Sequence, residues 1–317
     1  MRRVLSPLLV GLGVFLLAIA VLLPTYVIPR VEKAPLDQYT VTRAEGTGTY
    51  LNPETLDFVS QDDVTITRVV RGDVEASGDE IAVYDSTQTT ETGQMDEPLN
   101  VVTERVVFDR STGEGTGGRG DRPSHEGAYA IKFPFDVERR DYEFHDLTGA
   151  EAFPVSFQRE TEVDGLRVYE FRGEIPEQQR AQQGVPGALV GAPDTPTVFV
   201  EEFYENRGRV VLVEPRTGIV VGGSSAPRRF WRPAAISDVG SETVIFEAEV
   251  SSTEESTAEL VADAKDAKSQ LDLYGRTLPL VLGVLGLVAL VAGLLLLARG
   301  RRGAHEYYED EPVTTQY

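Results

Sequence analysis

The chain of 317 residues contains no cysteine, so it has no disulfide bond, no thiolate nucleophile and no thiolate ligand for a metal. Histidine is nearly as scarce, with only His125, His145 and His305. Ser124 adjoins His125, but catalytic pairs are brought together by the fold and seldom by adjacency in sequence. No G-x-S-x-G, S-x-x-K or H-E-x-x-H motif occurs. The sequence therefore predicts no enzymatic activity, no cofactor and no metal site.

Basic residues are also in the minority. The chain has 51 Asp and Glu residues against 30 Lys and Arg residues, which gives a formal net charge of −21. An acidic surface repels nucleic acid and anionic lipid headgroups. The charge therefore excludes nucleic acid as a partner and is typical of a well-solvated surface.

One long stretch, from Leu278 to Ala298, has no charge, amide or hydroxyl. A helix of this length, which rises about 1.5 Å per residue, matches a membrane hydrocarbon core of about 30 Å. Arg299, Arg301 and Arg302 follow directly, and clustered arginines mark the side that is not translocated. We therefore predict a transmembrane helix followed by a cytoplasmic tail.

The N-terminus repeats this arrangement, because Arg2 and Arg3 precede a largely apolar run from Val4 to Ile28. A secretory signal peptide is the alternative, but its apolar region is usually about 7–15 residues long, and residues 18–20 are only a weak cleavage site. An uncleaved first span places both termini in the cytoplasm. The chain from Pro24 to Thr277 then lies outside the plasma membrane.

Between Val41 and Ser251 the residue pattern is typical of β-strands. Val64–Val70 alternates apolar and polar residues, and Val101–Phe108 is rich in β-branched residues. Asp164-Gly165 joins two alternating runs and predicts a tight hairpin in which both residues have positive φ. The Gly- and Pro-rich stretch from Pro176 to Pro196 is predicted to be a long surface loop.

Two six-residue segments, Phe108–Gly113 and Val213–Gly218, share the form apolar, acid, x, x, Thr-Gly. The acid opens a turn and the glycine completes it in a left-handed conformation, so the segments predict two similar β-turns. An internal duplication is the alternative interpretation.

After the strands the pattern becomes helical. Ser252 and Glu255 have the spacing of a capping box. Apolar residues then recur on one helix face, at Leu260, Ala264, Ala267, Leu271 and Tyr274. We predict a helical stalk with a kink near Pro279, which lacks a backbone donor.

Small residues within the two spans predict close helix packing. They are Ala289 and Gly293 in the second span, and Gly11 and Ala18 in the first.

The predicted fold class is mainly β, a large antiparallel extracytoplasmic sheet domain, sandwich or half-barrel, between two transmembrane helices. The predicted boundaries are 1–28 for the first span, 29–251 for the β domain in one or two lobes, 252–277 for the stalk, 278–298 for the second span and 299–317 for the tail.

Aromatic residues concentrate between Tyr129 and Asp146, where Phe133, Phe135, Tyr142 and Phe144 lie among charged residues. They are either core residues or one wall of an apolar pocket with a charged rim. These four are the candidate ligand-binding residues.

Short segments spread over nearly the whole chain, together with the two spans, form a further pattern. They are Met1–Leu5, Ala34–Asp37, Arg68–Asp73, Lys132–Phe135, Arg140–Tyr142 and Val213–Gly218. The pattern resembles an actinobacterial envelope family named porin PorA, in which Trp is expected after Phe144, where this chain has His145. The resemblance implies an envelope membrane protein and brings no catalytic residues.

A transmembrane β-barrel does not fit the sequence, because barrel strands need a continuous lipid-facing apolar row and no helical spans tether them. We favour a non-enzymatic envelope protein whose β domain binds membrane lipid or another apolar ligand, or scaffolds other envelope proteins. The alternative is a porin or channel component formed by oligomerisation. The sequence leaves the oligomeric state open.

Overall fold

The computed structural model describes residues 2–233 and 242–305. The chain forms two compact units. Among the described residues, the helical unit contains those up to Glu32 and those from Lys268 to His305, and the sheet unit extends from Lys33 to Ala267. The predicted tail beyond His305 lies outside the described residues.

Long helices lie towards both ends of the chain. The helical segments are α1 (Arg2–Leu22), a π-helix (Leu23–Val27), α2 (Ile28–Val31), a 3₁₀ turn (Gly187–Val190), α3 (Glu254–Asp272), a second π-helix (Leu273–Thr277) and α4 (Leu278–His305). Two stretches, Leu5–Val31 and Glu254–Ala298, are long and apolar enough to cross a membrane.

Each π-helix ends two residues before a proline, Pro29 or Pro279. The residues before these prolines, Ile28 and Leu278, donate their N–H groups to carbonyls five residues back. Because proline has no N–H and its ring crowds the preceding turn, the usual ladder is interrupted there. Each helix accommodates the missing hydrogen bond with the wider turn of a π-helix. At Pro279 a π-helix thus lies where the sequence predicts a kink.

Glycines bring α1 and α4 into close contact. Gly13, Gly286 and Gly293 are all buried. A Cβ atom at Gly293 would lie 2.7 Å from Val10 Cγ2 and 2.8 Å from its backbone nitrogen, and one at Gly13 would lie 2.6 Å from the nitrogen of Leu290. Only glycine therefore allows the two backbones to approach this closely.

The prediction for the first span named the wrong residues. A Cβ atom at Gly11 would have no neighbour within 4 Å, and Ala18 is exposed. Gly13 makes the contact instead, because Gly11 and Ala18 lie on another face of the same helix. The prediction for Gly293 agrees with the structure.

The sheet unit is built on one eleven-stranded antiparallel sheet, which confirms the predicted mainly β fold class. Its strands are β1 (Tyr39–Leu51), β2 (Phe58–Gly72), β3 (Ile81–Thr92), β4 (Asn100–Asp109), β5 (Tyr142–Asp146), β6 (Glu151–Val163), β7 (Leu166–Val185), β8 (Val198–Val213), β9 (Val220–Ser225), β10 (Pro227–Pro233) and β11 (Thr243–Ser252). Their order is β4-β3-β2-β1-β11-β10-β8-β7-β6-β5, and β9 pairs with β11 and β8.

The stretch predicted as a loop from Pro176 to Pro196 is partly a strand. β7 continues to Val185 and pairs with β8 through several register shifts. Its side chains here are mostly exposed and polar. Backbone pairing therefore forms this part of the strand without the apolar alternation that marks a strand in the sequence.

The predicted turns have the expected glycine conformations. Asp164 and Gly165 have φ values of 48° and 75° and connect β6 to β7, as predicted for the hairpin. Gly113 and Gly218 are left-handed, with φ values of 80° and 74°. Their N–H groups bond to carbonyls four residues back, so each turn closes over five residues and not over the four of the predicted β-turns.

The first turns of α3 pack on the sheet. Val261 and Ala264 are buried in a cluster with Leu166, Val168 and Val221. The helix is capped by Thr253, whose Oγ1 accepts from the N–H of Ser256 at 3.2 Å.

The predicted cap, Ser252, is one residue too early. Ser252 still belongs to β11, and its hydroxyl accepts a hydrogen bond from the N–H of Gly223.

The two edge strands of the sheet, β4 and β5, approach each other. Glu104 Oε2 on β4 lies 3.8 Å from His145 Nε2 on β5. Beside them Gln88 Nε2 donates to Thr148 Oγ1 at 3.1 Å. The sheet therefore curves until its edges face each other, beside the loop of residues 110–141.

Candidate functional site

The four predicted ligand-binding residues differ in exposure. Phe133, Tyr142 and Phe144 are buried in an aromatic cluster, and Phe133 has no exposed surface. Its ring stacks on Phe144 at a centroid distance of 5.6 Å and meets Tyr142 edge-on at 5.1 Å. Phe135 is half-buried, and Lys132 Nζ lies 3.9 Å from its ring centroid. Ligand binding by these residues stays a prediction.

A second group of side chains lies where the edge strands meet. Glu104 comes from β4, His125 from the loop between β4 and β5, and His145 from β5. All three are buried, and one donor atom from each lies within 4.8 Å of the others. Two imidazoles and a carboxylate in this arrangement are potential metal ligands.

His125 lies between two carboxylates. Its Nε2 is 3.0 Å from Glu104 Oε2, and its Nδ1 is 2.7 Å from Asp121 Oδ1. The backbone N–H of His125 also donates to Asp121, which fixes the loop beside the ring. Burial lowers the pKa of His125, but the hydrogen bonds to the carboxylates outweigh it, so this pKa lies above its usual value.

His145 has no hydrogen-bond partner at either ring nitrogen within the described part of the chain. The ring is almost fully buried, and its centroid lies 4.2 Å from that of His125. Burial and the charge of His125 lower the pKa of His145 to about 4. The ring is therefore neutral at pH 7 and has a free lone pair.

Glu104 is a carboxylate in spite of its burial. Desolvation raises its pKa, but the hydrogen bond with His125 and the charge of Arg68 together lower the pKa to about 2. Arg68 Nη2 donates to Glu104 Oε1 at 2.6 Å. Glu104 Oε2 therefore faces the two histidines while Oε1 is held by the guanidinium.

A further buried acid follows His145 directly. Asp146 Oδ1 accepts from the Tyr204 hydroxyl at 2.9 Å and from the N–H of Gly149 at 2.6 Å. Burial and the charge of Asp146 raise the pKa of Tyr204 well above its usual value. Asp146 thus fixes the end of β5, which carries His145.

Reasoning from sequence did not bring Glu104, His125 and His145 together. No local motif connects them, because they lie on different elements that meet only when the sheet curves. The available signal was the residue composition. Two of the three histidines in the chain, His125 and His145, lie within the segment 125–145.

Comparison with known proteins supplies the family. The model of the family described as porin PorA matches residues 5–295. Porin PorA of Corynebacterium amycolatum is 25% identical over 388 aligned positions, which cover 94% of this chain and 100% of the relative. Porin PorA of Corynebacterium resistens is 25% identical over 411 positions, which cover 95% of this chain and 98% of the relative. The chain therefore belongs to the porin PorA family.

Proposed function

We propose that this protein is a subunit of an oligomeric channel in the cell envelope, anchored by two transmembrane helices. The observation that carries the proposal is the extent of the family match, from residue 5 to residue 295, which includes both apolar helices and the sheet unit. Relatives named porin align with at least 94% of this chain. Passage of solutes is therefore the first function to test.

The surface of the helical unit supports assembly. Only one face of each long helix is covered by the other, and many apolar side chains point away from this contact, among them Leu8, Phe15, Leu280, Val284 and Leu287. Lipid or further copies of the chain can cover such surface. Because α1 and α4 touch through glycine, no water path fits between them. A channel therefore needs several copies around a common axis.

In this proposal both chain ends are cytoplasmic and the sheet unit is extracytoplasmic. Arginines precede the first span at positions 2 and 3 and follow the second at 299, 301 and 302, which supports this orientation. A reporter that is active only in the cytoplasm should be active when fused to Tyr317. Activity of an export-dependent reporter at the same position would reverse the topology.

Conductance in planar bilayers tests the channel. Full-length protein is expected to give stepwise currents, and native mass spectrometry in the same detergent should give more than one chain per particle. Gly293→Ile should reduce the currents because it forces α1 and α4 apart. Folded protein that remains monomeric and leaves bilayers silent would contradict the channel.

The second candidate is an envelope protein that binds membrane lipid or scaffolds other envelope proteins through its sheet unit. The observation that favours it is the half-buried ring of Phe135, two residues after the fully buried Phe133. An apolar chain could contact the exposed part of this ring without displacing the buried side chain of Phe133.

Native mass spectrometry of protein extracted gently from its membrane separates the two candidates. Lipid that copurifies and is lost in Phe135→Asp supports the binding function. Phe199→Asp is the matched control, since Phe199 is 72% exposed. Equal lipid retention by both variants would count against a site at Phe135.

A further inference from the structure

We propose that Glu104, His125 and His145 bind one divalent transition-metal ion, and that Zn²⁺ fits this donor set best. Imidazole and carboxylate are typical zinc ligands, whereas Ca²⁺ and Mg²⁺ prefer sites made of oxygen. The site lies wholly within the sheet unit. It is independent of the channel proposed above.

The distances suit a single ion. In a tetrahedral site with metal–ligand distances of about 2.0–2.2 Å, donor atoms lie roughly 3.3–3.6 Å apart. Glu104 Oε2 lies 3.0 Å from Nε2 of His125 and 3.8 Å from Nε2 of His145. All three donor atoms lie within 4.8 Å of one another, so modest side-chain rotations would direct them at one point.

Two outer contacts orient these ligands. His125 Nδ1 is 2.7 Å from Asp121 Oδ1, which turns Nε2 towards Glu104. A carboxylate on the far nitrogen of a histidine is the common support of a metal-ligating imidazole. Arg68 holds Glu104 Oε1 and leaves Oε2 directed at the histidines.

His145 provides an independent observation. Both of its ring nitrogens are buried and lack a hydrogen-bond partner within the described chain. Burying a polar group without a partner is unfavourable, so native proteins seldom leave such a group unsatisfied. A metal ion on Nε2 supplies a partner for one of these two nitrogens.

The site would connect the two edges of the sheet. Glu104 and His145 belong to β4 and β5, the first and last strands in the sheet order, and His125 belongs to the loop between them. Open edges are the weak points of β-sheets. A metal ion here would therefore hold the curved sheet closed, with its fourth position left to water or a small anion.

Metal binding is tested on the full-length protein in detergent, after treatment with EDTA and dialysis. Titration with ZnCl₂ by calorimetry should give one high-affinity site per chain, and Zn²⁺ should raise the melting temperature. Co²⁺ used in place of Zn²⁺ should give the visible absorption of a tetrahedral ion.

Variants locate the ion. His145→Phe should weaken Zn²⁺ binding at least about 100-fold, and Asp121→Asn about 10–100-fold through loss of the outer support. His305→Ala, which alters a histidine distant in sequence, should bind like the natural protein. The Asp121→Asn result remains decisive if His145→Phe does not fold. Absence of stoichiometric binding, or equal binding by the natural protein and these variants, would overturn the site.

Discussion

Glu104 keeps a negative charge inside the sheet unit because Arg68 donates to one of its oxygens and His125 contacts the other. In protein kept metal-free with EDTA, we expect Glu104→Gln to lower stability by about 3 kcal/mol, since it leaves the Arg68 guanidinium without its buried counter-charge. For a domain of this size the melting temperature should fall by about 6–12 °C. Differential scanning calorimetry measures this fall.

Glu143→Gln provides the matched control for Glu104→Gln. Glu143 is an exposed residue on β5, and its substitution should change the melting temperature little. If the two variants melt at the same temperature, the buried charge network does not contribute as the structure indicates.

Gly218 needs both its left-handed conformation and its lack of a side chain. A Cβ atom there would lie 2.1 Å from the carbonyl oxygen of Phe133. Gly118 has nearly the same φ, 73° against 74°, but no atom lies within 4 Å of its Cβ position. We expect Gly118→Ala to cost about 1 kcal/mol from backbone strain alone. Gly218→Ala should cost at least about 3 kcal/mol, because backbone atoms must also move.

Chemical denaturation of the two alanine variants gives both free energies of unfolding. Similar values would mean that the turn can shift away from Phe133 without cost.

The left-handed glycines could be predicted because a local pattern specifies them. The clash with Phe133 could not, because it depends on a distant segment of the chain.

At the level of elements, Gly293 determines how closely α4 approaches α1. We expect Gly293→Ile to lower the melting temperature of the full-length protein in detergent by several degrees, because the new side chain would overlap Val10. Gly11→Ile, on an open face of α1, should melt like the natural protein. A normal melting temperature for Gly293→Ile would mean that the two helices do not pack as described.

The elements that could be predicted are those with a strong local period. The apolar spans, the strand at Val101–Phe108 and the hairpin at Asp164-Gly165 each show the expected residue pattern. The polar half of β7 could not be predicted, because its pairing depends on β8 and its side chains lack alternation. The choice of Gly13 over Gly11 also depends on the partner helix, which one span alone does not specify.

For the whole molecule, the sequence predicts a large antiparallel sheet but not its strand order. β1 pairs with β11, a strand from the far end of the unit, and this contact brings the N-terminal hairpins beside the C-terminal strands. Such pairings between distant segments carry no local signal. The approach of β4 to β5, and with it the cluster of Glu104, His125 and His145, follows from this order.

The sheet unit from Lys33 to Ala267 contains its own buried clusters and is expected to fold without the helical unit. Its circular dichroism should be dominated by strand. A shorter piece that ends at Val250 should unfold at a lower urea concentration, because it lacks the first turns of α3. Val261 and Ala264 then no longer cover their cluster, and burial of such side chains contributes roughly 1–3 kcal/mol each.

A pair of substitutions in the longer piece separates the loss of this packing from the loss of chain length. Ala264→Asp should lower the urea midpoint much as the truncation does, since Ala264 has no exposed surface. Ala262→Asp, at an exposed position two residues earlier on the same helix, should leave the midpoint unchanged. Equal urea midpoints for the two variants would show that α3 adds no stability to the sheet unit. A predominantly helical circular dichroism spectrum of either the longer or the shorter piece would contradict the fold itself.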